Sequence, residues 1–210
     1  MLSNKVPGVA LPGVSTPALG LPYPSLDKVA PIGKTLVVWG GSSSTGALTI
    51  QLATAAGINV IATSGAHNFE LVKKAGASEV FDHKDAAIVD KIVAAAKRAG
   101  GEFVGIFDAI GTPETYTNDL SILEKLDGGH LALTHPPLGP FPDNVKAGMI
   151  FAVNDVAAPV WKDYVTPALQ SGKLQILPPP TILGKGLEYL NEGLKKSKAG
   201  VSGTKLVVEI

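Results

Sequence analysis

From Leu36 onward the chain alternates between two rhythms. Short, continuous apolar runs read as buried strands, and longer stretches with apolar positions on one side read as helices. Leu36–Trp39 is the first predicted strand, followed by a helix from Gly46 to Ala56 that stops at Gly57. Ile58–Thr63 is a strand, Asn68–Lys74 a helix ended near Gly76, and Glu79–Phe81 a short strand. Asp85–Arg98 places Ile88, Ile92 and Ala95 on one side of a helix, which Gly100-Gly101 end. Phe103–Ile110 is the fourth strand. Thr112-Pro113-Glu114 then supplies a cap, a first-turn proline and an acid for a helix that runs to Leu126. His130–Thr134 and Met149–Val153 are the fifth and sixth strands. A helix over Val160–Ser171, interrupted at Pro167, a helix over Gly184–Ser197 and a strand over Lys205–Ile210 complete the reading.

Strand-helix repeats of this length are βαβ units, and right-handed crossovers turn them into a parallel sheet with helices on both faces. The predicted class is therefore α/β, a doubly wound, Rossmann-like sheet of six strands. The predicted divisions are a Pro/Gly-rich arm or linker over 1–31, the sheet domain over 32–172 and a C-terminal helix and strand over 173–210. The arm carries Pro7, Pro12, Pro17, Pro22, Pro24 and Pro31, which suit neither helix nor central strand.

Charge and composition narrow the function classes. Lys plus Arg and Asp plus Glu both number 18 among 210 residues, so no net basic field draws nucleic acid or an anionic membrane. No apolar run is long enough to span a bilayer. Cysteine is absent, which removes disulfides, thiolate catalysis and cysteine-ligated zinc and fits a reducing interior. The expected location is cytoplasmic. His130 and His135 lack a third ligand for a metal. Asp82, Asp85 and Asp90 read as helix-start and surface acids, and Trp39 as core.

The strongest chemical signal is Val37-Val38-Trp39-Gly40-Gly41-Ser42-Ser43-Ser44-Thr45-Gly46. An apolar strand enters a turn of small residues and leaves as a helix, which gathers backbone N–H groups and the positive end of a helix dipole at one spot. Gly41-x-Ser43-x-x-Gly46 follows the dinucleotide fingerprint G-x-G-x-x-G with its middle glycine replaced by serine. Ser42, Ser43, Ser44 and Thr45 add hydroxyls to the turn. The end of the second strand decides between the two pyridine nucleotides, because an acid there repels a 2′-phosphate. Thr63-Ser64-Gly65-Ala66-His67-Asn68 offers none before Glu70, and Lys73 and Lys74 are nearby sources of positive charge. Ligands of an open sheet lie beyond the strands' carboxyl ends, which here include Ile110-Gly111 and Leu133-Thr134.

Four phrases in order carry a family resemblance: VVWGGSSSTGALTIQLATAAG from Val37, VKKAGASEVFDHKD from Val72, FDAIGTPET from Phe107 and VSGTKLVVEI from Val201. They resemble the medium-chain dehydrogenase/reductase superfamily. The triple serine and His67-Asn68-Phe69 are most similar to its zinc-independent fungal trans-enoyl reductases. The resemblance implies NADP(H) as cofactor, with Ser64, His67 and Asn68 at the ribose or its 2′-phosphate. His83 stands where the family's phrase has an aromatic residue beside the adenosine phosphate. Leu133, Thr134 and Phe151–Val153 are placed near the nicotinamide, and Val201-Ser202 close over the cofactor. The family's GroES-like catalytic domain precedes the nucleotide domain, so the resemblance also implies that most of it is missing here and that residues 173–210 are its remnant.

Two function classes follow from the resemblance. One is a reductase that transfers hydride from NADPH to a C=C bond conjugated with a carbonyl, in an enone or an enoyl thioester, with little activity expected from this chain alone. The other is a non-catalytic nucleotide-binding or partner-binding protein that uses the apolar face left bare and the unpaired strand Lys205–Ile210. A homodimer through residues 149–153 is also implied.

Overall fold

The computed structural model describes residues 21–150 and 157–210. Strands β1 (Lys34–Trp39), β2 (Asn59–Ser64), β3 (Glu79–Asp82), β4 (Glu102–Asp108), β5 (Gly129–Leu133) and β6 (Val145–Met149) form one parallel sheet in the order β3-β2-β1-β4-β5-β6. The order reverses between β1 and β4, which leaves a crevice beyond their carboxyl ends, as doubly wound folds require.

Alternate side chains of each strand enter opposite layers. Leu36 and Val38 join one apolar cluster with Ile50, Leu52 and Ala53 of α1 (Ser44–Ala55) and Val72 of α2 (Phe69–Lys74). Val37, Trp39 and Ile61 join the other with Ile92 of α3 (Ile88–Ala99) and Ile122 and Leu123 of α4 (Pro113–Lys125). Both faces are covered, which explains the near-continuous apolar strands.

Four expectations are corrected. The sixth strand lies earlier than Met149–Val153, because residues Val145 to Met149 pair in register with Gly129 to Leu133 of β5. Val-Lys-Ala-Gly-Met has no continuous apolar run, so pairing with β5 rather than its own pattern places it. Phe151–Val153 lie outside the described residues. The stretch from Gly184 begins as part of a strand, β7 (Pro180–Lys185), and the helix α6 starts only at Leu190 and ends at Ala199. The last strand, β8 (Lys205–Glu209), is not unpartnered, since it pairs in parallel with β7 in a second, two-stranded sheet. The helix runs on through Pro167 without a break: a π-helical stretch over Val160–Val165 passes directly into α5 (Thr166–Gln170), with Val165 and Thr166 both at helical angles.

The described part of the N-terminal arm is not a free linker. Leu21 is 1% exposed within the first cluster, with Tyr23 and Leu26 packed against it. Ser25 N–H donates to Ala55 at 3.0 Å, and Ile32 N–H to Gly57 at 3.0 Å. Residues 1–20 lie outside the described part.

Truncating Leu21 to alanine is expected to cost about 2–5 kcal/mol, the usual range for a buried leucine, read as a lower urea midpoint. An unchanged midpoint would remove this segment from the folded core.

Candidate functional site

The turn between β1 and α1 is held from both sides. Gly40 has φ +77°, and a Cβ there would lie 2.5 Å from Ile110 Cδ1. A Cβ on Gly46 would lie 2.2 Å from the Gly40 carbonyl oxygen, so only glycine lets the helix start sit on the strand end. Gly40 N–H donates to Thr63 Oγ1 at 3.1 Å and Gly41 N–H to the Thr63 carbonyl at 2.7 Å, which fastens the turn to β2.

Ser43, in the fingerprint's middle position, is the helix cap. Its Oγ accepts from Gly46 N–H at 2.9 Å, and its own N–H donates to Gly40 at 3.0 Å. Of the amides gathered in this turn, those of Gly41, Ser43 and Gly46 are therefore already used. Ser42, Ser44 and Thr45 keep N–H groups without a partner among the described residues, and Ser44 and Thr45 are exposed at the first turn of α1.

Beside this turn lies a cavity of about 620 Å³ at the β1/β4 crevice. Ser42, Ser64, His67, His83, Ile110 and Ser202 all line it, so residues from five separate stretches of the site prediction meet there. Ser64 is 2% exposed and donates its hydroxyl to the Gly65 carbonyl at 3.1 Å. Asn68 lies buried behind the wall and donates to Ser202 Oγ at 2.8 Å, while His67 Nε2 stands 2.9 Å from the same oxygen. Gly203, at φ +63°, fits because a Cβ there would meet Asn68 Oδ1 at 2.3 Å. The C-terminal segment is thereby clasped to the end of β2.

The opposite wall is the turn after β4. Asp108, fully buried, accepts from Ile110 N–H at 2.7 Å, from Gly111 N–H at 3.0 and 3.1 Å and from Thr115 Oγ1 at 2.7 Å. Gly111 has φ +70°, and His135 covers the space a side chain would need.

Other predicted residues fall elsewhere. Leu133 is 2% exposed in the core. Thr134 and Thr45 line a second cavity of about 230 Å³ with Leu48, Phe107, Val160 and Trp161. Val201 is exposed and lines neither cavity. Lys73 pairs with Glu70 at 3.3 Å on the surface, and Lys74 lines a separate groove.

Sequence reasoning missed Gly40, Asp82, Lys84, Glu114 and Asn118, of which all except Gly40 bring polar side chains to the first cavity. Asp82, read as a surface acid, is half-buried at the end of β3, and its Oδ1 accepts from Lys84 N–H at 3.0 Å. The parallel pairing Ser64↔Asp82 brings this segment to the cavity, and Lys84 could have been found by extending β3 through the Asp-His-Lys phrase. Asp85, as expected, is a local acid, and a hydrogen bond from Lys91 lowers its pKa. Trp39 is core at 3% exposed yet also touches the cavity.

Residues 44–140 match the family described as zinc-binding dehydrogenase. The chain has no cysteine, and among the described residues no group of three or more His, Asp or Glu could hold a metal. The dehydrogenase orsE of Emericella nidulans is 72% identical over 211 residues, which cover 100% of this chain and 61% of that protein. The trans-enoyl reductase himH of Aspergillus japonicus is 38% identical over 198 residues, covering 91% of this chain and 56% of its own length. The chain therefore spans 56–61% of these curated relatives. Among solved structures, CurA in complex with NADPH from Vibrio vulnificus shares the fold, with a TM-score of 0.60 and 20% identity over 85% of this chain and 57% of that one.

Ser43→Ala is expected to lower stability by about 1 kcal/mol, the ordinary loss of an N-cap, and Ser43→Gly by only a few tenths. Thermal denaturation of the two variants measures the difference, and equal losses would show that the capping bond is not what Ser43 contributes.

Proposed function

Because this chain belongs to the medium-chain dehydrogenase/reductase superfamily, we propose that the cavity at the β1/β4 crevice binds NADPH and that the chain forms the nucleotide-binding part of an enoyl reductase-like oxidoreductase. The observation that carries this reading is the turn itself. Three partnerless N–H groups, of Ser42, Ser44 and Thr45, stand at the start of a helix pressed onto Gly40, beside a cavity large enough for a sizeable ligand. That is the chemistry a pyrophosphate needs. Gly41, Ser43 and Gly46 act as its scaffold rather than its donors.

The ribose end falls to Ser64, His67, His83 and Lys84, with Asn68 and Ser202 supporting His67. β2 ends in Ser64 instead of an acid, which favours a 2′-phosphate over a bare hydroxyl. Lys84 supplies the nearby positive charge. Ile110 and Gly111 wall the middle of the cleft, and Thr134, beyond β5, lies toward the nicotinamide end, with Leu133 beneath and Val201 at the closing segment. NADPH, when bound, supplies a hydride for the β-carbon of a C=C bond conjugated with a carbonyl. This chain holds and orients the nucleotide. The relatives' names, dehydrogenase and trans-enoyl reductase, support a small-molecule substrate of the enone or enoyl thioester class. Since those relatives extend well beyond the matched region, turnover by this chain alone is expected to be slow.

A second reading, binding of a protein partner, rests on Ile176, Ile182, Leu187, Leu194 and Ile210, all at least 57% exposed on the C-terminal unit. Self-association is a further part of the proposal, with β6 at the edge of the main sheet as the pairing strand. Among the described residues no helix is long and apolar enough to cross a membrane. The cytoplasm is the proposed location.

Titration with NADPH and NADH tests the reading, with tighter binding of NADPH expected. Lys84→Ala should weaken NADPH about tenfold or more, the loss of one charge-assisted hydrogen bond, and leave NADH nearly unchanged. Equal weakening of both would move Lys84 away from the 2′-phosphate, and no binding of either nucleotide would sink the proposal. Ala66→Asp, at an exposed position on the cavity rim, is expected to shift preference toward NADH without burying a charge.

A further inference from the structure

Two carboxylates lie fully buried under the wall of the cleft, and their surroundings differ. Asp108 holds every donor available there: the amides of Ile110 and Gly111 and the Thr115 hydroxyl. Asp119, on α4, has no partner for either oxygen among the described residues, although both atoms are buried. Tyr116, on the same helix, is also buried, and its hydroxyl gives Asp119 nothing. An ion without donors or an opposite charge is too costly in such a place, whereas a neutral carboxyl needs only one acceptor. Asp108 is the acceptor beside it, with donors from the Ile110–Gly111 turn and Thr115 already on its oxygens.

We propose that Asp119 is a positioning residue for the cleft: it stays neutral, donates its proton to Asp108, and so holds the Asp108 carboxylate against the Ile110–Gly111 turn. Burial and the neighbouring Asp108 charge both push Asp119 well above the usual carboxylate range, in agreement with this arrangement. The groups facing it are Asp108 from β4 and Tyr116 from its own helix, whose pKa is raised chiefly by burial. From α3, Asp90 pairs with Lys125 of α4 at 2.5 Å on the surface. Glu114 and His135, near the same turn, are exposed.

The proton has a thermodynamic signature. Asp119 is protonated in the fold and ionised in the unfolded chain above about pH 3.9. The folded state therefore holds one proton more, and stability falls as pH rises from there to the native titration point, by about tenfold in the folding constant per pH unit.

The experiment compares the whole chain with Asp119→Asn, which keeps a donor but no titrating proton, and with Asp119→Ala. Infrared difference spectra at pH 7 should show a protonated-carboxyl band in the wild-type chain that Asp119→Asn lacks. Urea titrations from pH 5 to pH 8 should show the wild-type stability falling relative to Asp119→Asn. Amide exchange at Ile110 and Gly111 should be as slow in Asp119→Asn as in the wild type and at least tenfold faster in Asp119→Ala, with NADPH affinity following the same order. The absence of the infrared band together with parallel stability curves would overturn the proposal, as would equal exchange in all three chains. If the alanine variant does not fold, the infrared and urea arms still decide. Failure of the wild-type chain to bind NADPH would count against the proposed nucleotide function, while the infrared and exchange results judge Asp119 on their own.

Discussion

The start of α1 rests on the carbonyl of Gly40 with no room for a carbon atom between them. Everything at the site depends on that approach. It aims the first turn of the helix, and with it the free amides, across the crevice where the sheet reverses direction. The same closeness obliges Gly40 into a left-handed conformation and hands its N–H to Thr63, so the turn is tied to β2 as well as to β1. The start of α1 is thus held in place by packing and by hydrogen bonds within the chain.

Around that fixed point the cleft is assembled from distant parts of the chain. β2 and β3 supply one wall, the turn after β4 supplies the other, and the C-terminal segment reaches back to the first. The walls are built differently. One is a web of polar side chains centred on Ser202, and the other is a backbone turn gripped from below by a buried carboxylate. Chemistry that varies between ligands suits the first kind of wall, and geometry that must not vary suits the second.

Most of the sheet was legible because strands covered on both faces have to be continuously apolar, as Leu36–Trp39 and Phe103–Phe107 are. β6 was misplaced because an edge strand such as Val145–Met149, with Lys146 exposed, obeys no such demand. The end of β7, Gly184-Lys185, was read into the following helix because Leu187, Leu190 and Leu194 carry a helical spacing that begins just after it, and only pairing with β8 marks the strand. At the site, residue types were legible and their bonds were not. The small residues of the turn announced a close approach, but which amides Thr63 would consume depends on the neighbouring strand. Lys84 stood three residues beyond an apolar run and looked like surface. Asp119, beside Asn118 on an amphipathic helix, carries no pattern that distinguishes a buried acid from a solvated one.

The clasp between Ser202 and the His67–Asn68 pair joins residues up to 135 positions apart in the chain. Gly203 makes it possible by leaving space for the Asn68 amide. Transplanting the sheet alone into a related scaffold would carry over the glycine turn intact and strip His67 and Asn68 of their common partner. A working graft must therefore bring residues 201–203 along, so the smallest exchangeable module of this protein is discontinuous in sequence.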